Sequence, residues 1–137
     1  MPQTPIRFTS TSSLSFKRIH SIAELEANIQ SVHGKTVMLD FYADWCVSCI
    51  EMEKLTFSET QVKSAMNDLL LLQADVTNNN AEDKALLKRF ELFGPPGIIF
   101  FDSEGKEIPT ARVIGFKTPD LFLDRLQQVK SESTASK

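Results

Sequence analysis

Cys46 and Cys49 stand three residues apart in Cys46-Val47-Ser48-Cys49, and the chain has no other cysteine. Residues three apart on a helix share a face and lie close enough for a disulfide. The preceding stretch, Val37 to Tyr42, is apolar apart from Asp40 and reads as a buried strand. A helix is expected to begin near Cys46. There the unpaired amides and the positive end of the helix dipole favour a thiolate. Cys49 falls one turn further in and is expected to be the more buried of the two. This asymmetry suits dithiol–disulfide exchange, in which Cys46 attacks a partner and Cys49 resolves the mixed disulfide. Inert packing and half of a zinc site are the alternatives. Zinc needs two further ligands, and His20 and His33 fall at element ends with no metal spacing. No metal and no cofactor is therefore expected.

Two carboxylates accompany the pair. Asp40 lies six residues before Cys46 in an otherwise apolar run. Burial penalises its charged form, so its proton affinity is expected to be high. That suits a proton acceptor for Cys49, the alternative being a strand-end carboxylate satisfied by backbone amides. Glu53 is four residues after Cys49 and seven after Cys46, which places all three on one helix face. A solvated helix glutamate would show the same spacing. Together the two carboxylates are expected to oppose the dipole and raise the Cys46 pKa, because like charges nearby disfavour a thiolate. Trp45 is expected to shield the disulfide and contact partners, and Asp44 to be a solvated turn residue.

The surrounding elements alternate. Phe16 to Ile19 reads as a short strand. Ser21 and Glu24 form a capping box at the start of a helix that Gly34 stops. The Cys46 helix is expected to break near Thr56 to Ser58. A second box, Ser58 with Gln61, would open the next helix, with Phe57 and Val62 as its hydrophobic staple. Leu69 to Val76 reads as a strand, and Asn80 caps a helix running to about Phe93. Gly94-Pro95-Pro96-Gly97 forces a turn. Ile98 to Phe101 and Arg112 to Ile114 read as strands joined through a turn at Ser103 to Lys106. Thr118-Pro119 opens the last helix. The order β-α-β-α-β-α-β-β-α predicts an α/β fold: a mixed central sheet, early strands parallel, the late pair antiparallel, helices on both faces. Phe57, Phe90, Phe93, Phe100, Phe101 and Phe122 are assigned to the core.

The chain has 137 residues, 42% apolar and 24% charged, with a net charge of -3. One domain is expected over residues 16–130, with a flexible leader over 1–15 and a flexible tail over 131–137. The acidic balance argues against nucleic acid as a partner. The longest apolar runs are far short of the ~20 residues a membrane helix needs. A monomer is the default.

The run Asp40-Phe41-Tyr42-Ala43-Asp44-Trp45-Cys46-Val47-Ser48-Cys49 resembles the active-site stretch of the thioredoxin superfamily. The order of elements resembles the thioredoxin fold with an N-terminal extension. Within the superfamily, Tyr42 to Val47, Glu53, Thr56-Phe57-Ser58 and Leu72 to Thr77 resemble the C-terminal periplasmic domain of the DsbD family of thiol:disulfide interchange proteins. The resemblance implies a proton acceptor at Asp40, a carboxylate at Glu53 near the thiols, a cis proline at Pro96 facing the cysteines, and a glycine turn at Gly115. Trp45, Pro95, Pro96 and Gly115 would then form the partner groove. Pro95 departs from the pattern. It has no N–H, so one backbone hydrogen bond to a docked partner strand should be missing. Val47-Ser48 and Gly97 depart as well. The resemblance also implies a reductase that passes two electrons between protein partners, from a transmembrane domain to an N-terminal domain of the same polypeptide. That would place the domain on the periplasmic face of the bacterial inner membrane and link it to cytochrome c maturation. A free-standing cytosolic thioredoxin, a non-enzymatic binding module and an oxidase or isomerase are the competing readings.

Overall fold

The computed structural model describes residues 14–32 and 34–135, so His33 and most of the expected leader lie outside the described residues. Five strands form one sheet in the order β1-β3-β2-β4-β5. The strands are β1 (Lys17–Ile19), β2 (Val37–Tyr42), β3 (Leu70–Asp75), β4 (Gly97–Phe101) and β5 (Val113–Ile114). β3 pairs in parallel with both β1 and β2, β2 pairs antiparallel with β4, and β4 antiparallel with β5. The sheet is mixed, with the parallel and antiparallel halves where the element order placed them.

Alternation along β2 and β4 divides the core. Leu39, Phe41, Ile99 and Phe101 pack with Leu25 of α1 (Ile22–Ser31) and with Leu86 and Leu87 of α4 (Ala81–Arg89). Met38, Ile98 and Phe100 pack on the other face. There they meet Met52, Val62 and Met66 of residues 47–66 and Phe122, Leu126 and Val129 of α5 (Pro119–Ala135). Phe57 bridges this second layer, its ring 5.5 Å from Phe122 and 5.9 Å from Phe16. Leu14 and Phe16, at the edge of the expected leader, pack partly buried on the same cluster.

Several boundaries differ from expectation, each for a local reason. The Cys46 helix ends at Thr56, where the break was expected, but in an unexpected form. α2 (Val47–Glu51) runs into a π-helical turn, Met52–Thr56, closed by the Phe57 amide donating to the Met52 carbonyl at 2.8 Å. Ser58 lies in the turn that follows, and its hydroxyl donates back to the Lys54 carbonyl. Glu59, without a side-chain cap, opens α3 (Thr60–Met66), so the expected Ser58 box is absent. At Ser21 only half of the expected box forms. Its hydroxyl accepts from Glu24 N at 3.1 Å, while the Glu24 carboxylate takes the His20 amide instead.

α4 ends at Arg89, short of Phe93. Glu91 adopts φ 58°, and the Leu92 and Glu91 amides donate to the Leu87 and Lys88 carbonyls. That is a Schellman stop built without glycine, so no sequence signal marks it. The reversal turns Phe93 out of the core into solvent, contrary to its assignment. α5 continues helical to Ala135, past the expected start of the tail at Ser131. No Gly or Pro interrupts that run, and Glu132 is held there by Thr110 Oγ1 at 3.1 Å and Gln128 Nε2 at 2.8 Å. A short 3-10 turn, Pro109–Ala111, precedes β5.

The Asn80 cap is complete. Asn80 Oδ1 accepts from Asp83 N at 2.9 Å, and Asp83 Oδ2 accepts from Asn80 N at 3.2 Å. Asn80→Ala is expected to cost about 1 kcal/mol of stability. Urea denaturation of the two proteins measures it.

Candidate active site

The site assembles where β2 ends and β4 begins. Phe41 pairs with Gly97 and Gly97 with Ile114, so the Cys46 loop, Pro96 and Gly115 meet at one end of the sheet. The Gly115 amide, at φ 83°, reaches the Pro96 carbonyl at 3.5 Å. The Pro95–Pro96 bond is cis. Gly97 also permits a close approach, since a Cβ there would meet Leu92 Cδ1 at 3.1 Å.

Cys46 and Cys49 are joined in a disulfide with their Cα atoms 5.2 Å apart. Cys46 is the N-cap of α2, in extended conformation, and its sulfur accepts from Cys49 N at 3.2 Å. A sulfur in that position is stabilised as an anion by the amide it faces. Cys49 Sγ lies 3.7 Å from the Phe41 carbonyl oxygen, which accepts a hydrogen bond from the thiol once the disulfide is reduced. The expected contrast in burial is slight, with Cys46 6% and Cys49 4% exposed. Their difference lies in bonding: Cys46 faces a donor and Cys49 an acceptor.

Trp45 is 60% exposed, yet its indole Nε1 donates to the Thr77 carbonyl at 3.0 Å. Thr77 Oγ1 also takes the Asp44 amide at 2.9 Å, so the loop after β3 holds the residues just before the disulfide. Val47 is exposed beside them.

Asp40 is buried in β2, and Ile98 lies opposite it on β4. Desolvation pushes its carboxyl up from 3.8 to about 7, and the charge of Glu53 adds to the rise. A hydrogen bond from Gln73 and the charge of Arg18 oppose it. Glu53 stands on the π-helical turn. Although the residue is largely exposed, desolvation pushes its carboxyl above the ordinary range, again against Gln73 and Arg18. The structure thus brings Asp40 and Glu53 into one electrostatic unit.

Sequence reading missed Gln73 and Arg18. Gln73 Nε2 donates to Asp40 Oδ2 at 3.0 Å, and Gln73 Oε1 accepts from Arg18 Nε at 2.6 Å. Arg18 also pairs with Asp75 at 2.9 Å. The available signal was a glutamine interrupting the apolar strand Leu69 to Val76, as Asp40 interrupts its own.

A family model described as a thioredoxin-like domain matches residues 24–130. The chain belongs to the thioredoxin-like domain family. The crystal structure of the oxidised DsbD C-terminal domain from Neisseria meningitidis superimposes on this thioredoxin-like chain with a TM-score of 0.69. The two are 36% identical, over 84% of this chain and 99% of that one. The thiol:disulfide interchange protein DsbD of Ralstonia nicotianae is 50% identical over 122 residues, 88% of this chain. That of Salmonella paratyphi A is 54% identical over 109 residues, 80% of this chain. The chain spans about a fifth of the length of these DsbD proteins. The family and the cysteine pair together make this thioredoxin-like domain a thiol–disulfide oxidoreductase. Among its described residues no helix is long and apolar enough to cross a membrane.

Proposed function

We propose that the domain is a protein-disulfide reductase that relays two electrons between protein partners. The carrying observation is the Cys46–Cys49 pair at the start of α2, backed by a buried carboxylate. In the reduced form the Cys46 thiolate attacks one sulfur of a partner disulfide. A mixed disulfide forms and the partner's other sulfur leaves as a thiolate, which takes up a proton. Asp40 then accepts the Cys49 proton. The Cys49 thiolate attacks Cys46 Sγ, the intramolecular bond forms, and the partner's second thiol is released. The partner gains two electrons and two protons, and the pair is oxidised. Asp40 and Glu53 are the acid–base residues of this reading. Both carboxylates disfavour a second negative charge and oppose the Cys49 amide, so Cys46 in the reduced chain should titrate above the ordinary cysteine value of ~8.5.

Trp45, Pro95, Pro96 and Gly115 line the partner groove in this reading. Pro95 offers a carbonyl but no N–H to an extended partner segment. The likeness to DsbD supports electrons arriving from a membrane-embedded domain and leaving to an N-terminal domain of the same protein on the periplasmic face. Insulin reduction driven by dithiothreitol tests the reductase. Turnover by the wild type should vanish in Cys46→Ala, and an equal rate in both proteins refutes the reading. A strongly oxidising potential would favour an oxidase.

A further inference from the structure

One rung of the sheet runs Arg18, Gln73, Asp40, Ile98, Val113 across all five strands. Its antiparallel half is apolar and its parallel half polar. Side chains in register across neighbouring strands share a face, so these three polar groups share the sheet face on which Met38 and Ile98 meet Met52 of the π-helical turn. Gln73 is 5% exposed, and a buried amide must satisfy both its ends. Arg18 Nε can only donate, so the Gln73 end it meets at 2.6 Å is the oxygen. The NH2 end must then face Asp40, which it meets at 3.0 Å. The same side chain interacts with Glu53.

We propose that Gln73 is the positioning residue of the proton acceptor, and that Arg18, at the sheet edge, fixes which end of the Gln73 amide faces Asp40. An amide N–H donates to a carboxylate far better than to a carboxylic acid's hydroxyl oxygen. The bond therefore favours the ionised form and offsets part of the burial penalty. The charged groups acting on Asp40 are Glu53 from the π-helical turn, which disfavours its ionisation, and Arg18 from β1, which favours it. β4 contributes the apolar Ile98. Without the amide, Asp40 would hold its own proton further into the alkaline range and could not take the one on Cys49 near neutrality. Gln73 touches neither sulfur in this scheme and acts only through Asp40.

The inference rests on the reading of Asp40 as the Cys49 proton acceptor, but its test needs no partner and no turnover. The Asp40 carboxyl carbon is titrated by NMR in the oxidised full chain, for wild type, Gln73→Met and Arg18→Met. The midpoint should move to higher pH in both variants, further in Gln73→Met. Arg18 is half exposed at the sheet edge, so its replacement remains informative where a core variant fails to fold. A wild-type midpoint in either variant overturns the proposal, even if that variant is less stable. Loss of insulin reduction in the wild type would instead remove the reductase reading and leave the titration standing.

Discussion

Cys49→Ala is expected to accumulate a stable mixed disulfide between Cys46 and any disulfide-bearing partner, while Cys46→Ala accumulates none. Non-reducing gel electrophoresis with mass spectrometry of the shifted band reads the result. The asymmetry follows from bonding, since exposure barely separates the two sulfurs. Cys46 caps α2 and receives an amide hydrogen, so its anion is the one the backbone stabilises. Cys49 faces the Phe41 carbonyl, which stabilises a protonated thiol rather than an anion. With the resolving sulfur removed, the second displacement has no internal nucleophile, and steady-state turnover should fall by several orders of magnitude. Equal trapping by the two variants would mean that the roles of the sulfurs are not divided as described.

The second large effect concerns Asp40→Asn. The folded oxidised chain keeps the Asp40 proton to about pH 7, whereas the unfolded chain releases it near 3.8. Folding therefore binds a proton between those values. The stability this contributes is fully present below pH 3.8 and is lost as pH rises through 7. A difference of about three units corresponds to roughly 4 kcal/mol. Asn has no proton to release, and its Oδ1 can still accept from Gln73. Against wild type, Asp40→Asn should therefore gain relative stability with rising pH and exceed it by up to about 4 kcal/mol at pH 8. Denaturant midpoints from pH 4 to 8 measure this, and parallel curves would contradict it. The same variant should reduce insulin about 10²-fold more slowly at pH 7, the ordinary loss when a general base is removed. A more stable and slower protein would mark Asp40 as a group kept for chemistry at a cost in stability.

Much of this arrangement was legible in the chain. The Cys46–Cys49 spacing, the lone charge at Asp40 and the punctuation at Gly34, Asn80 and Thr118-Pro119 are local signals, and local geometry decides what they do. Misreadings arose where a non-local contact or an unusual backbone intervened. Glu91 turns left-handed without being glycine, and that alone ends α4 early and expels Phe93. Ser58 spends its hydroxyl on the Lys54 carbonyl of the π-helical turn and caps nothing in α3, and Thr56 Oγ1, donating to the Lys117 carbonyl at 2.6 Å, ties that turn to the segment before α5. Gln73 stood out in its apolar strand, but its link to Arg18 was hidden for a different reason. Their meeting depends on the register of β1 and β2 on either side of β3, and 55 residues separate them in sequence. No periodicity encodes that register.

β1 is three residues long and, among the described residues, its only partner strand is β3. Whatever tugs on this outermost ribbon, such as an affinity tag fused just ahead of it or a neighbouring module pressing on it, displaces the guanidinium at its centre. Protein engineers who treat that margin as a harmless attachment point should find the acid–base behaviour of the distant centre altered, though no atom near the sulfurs was changed.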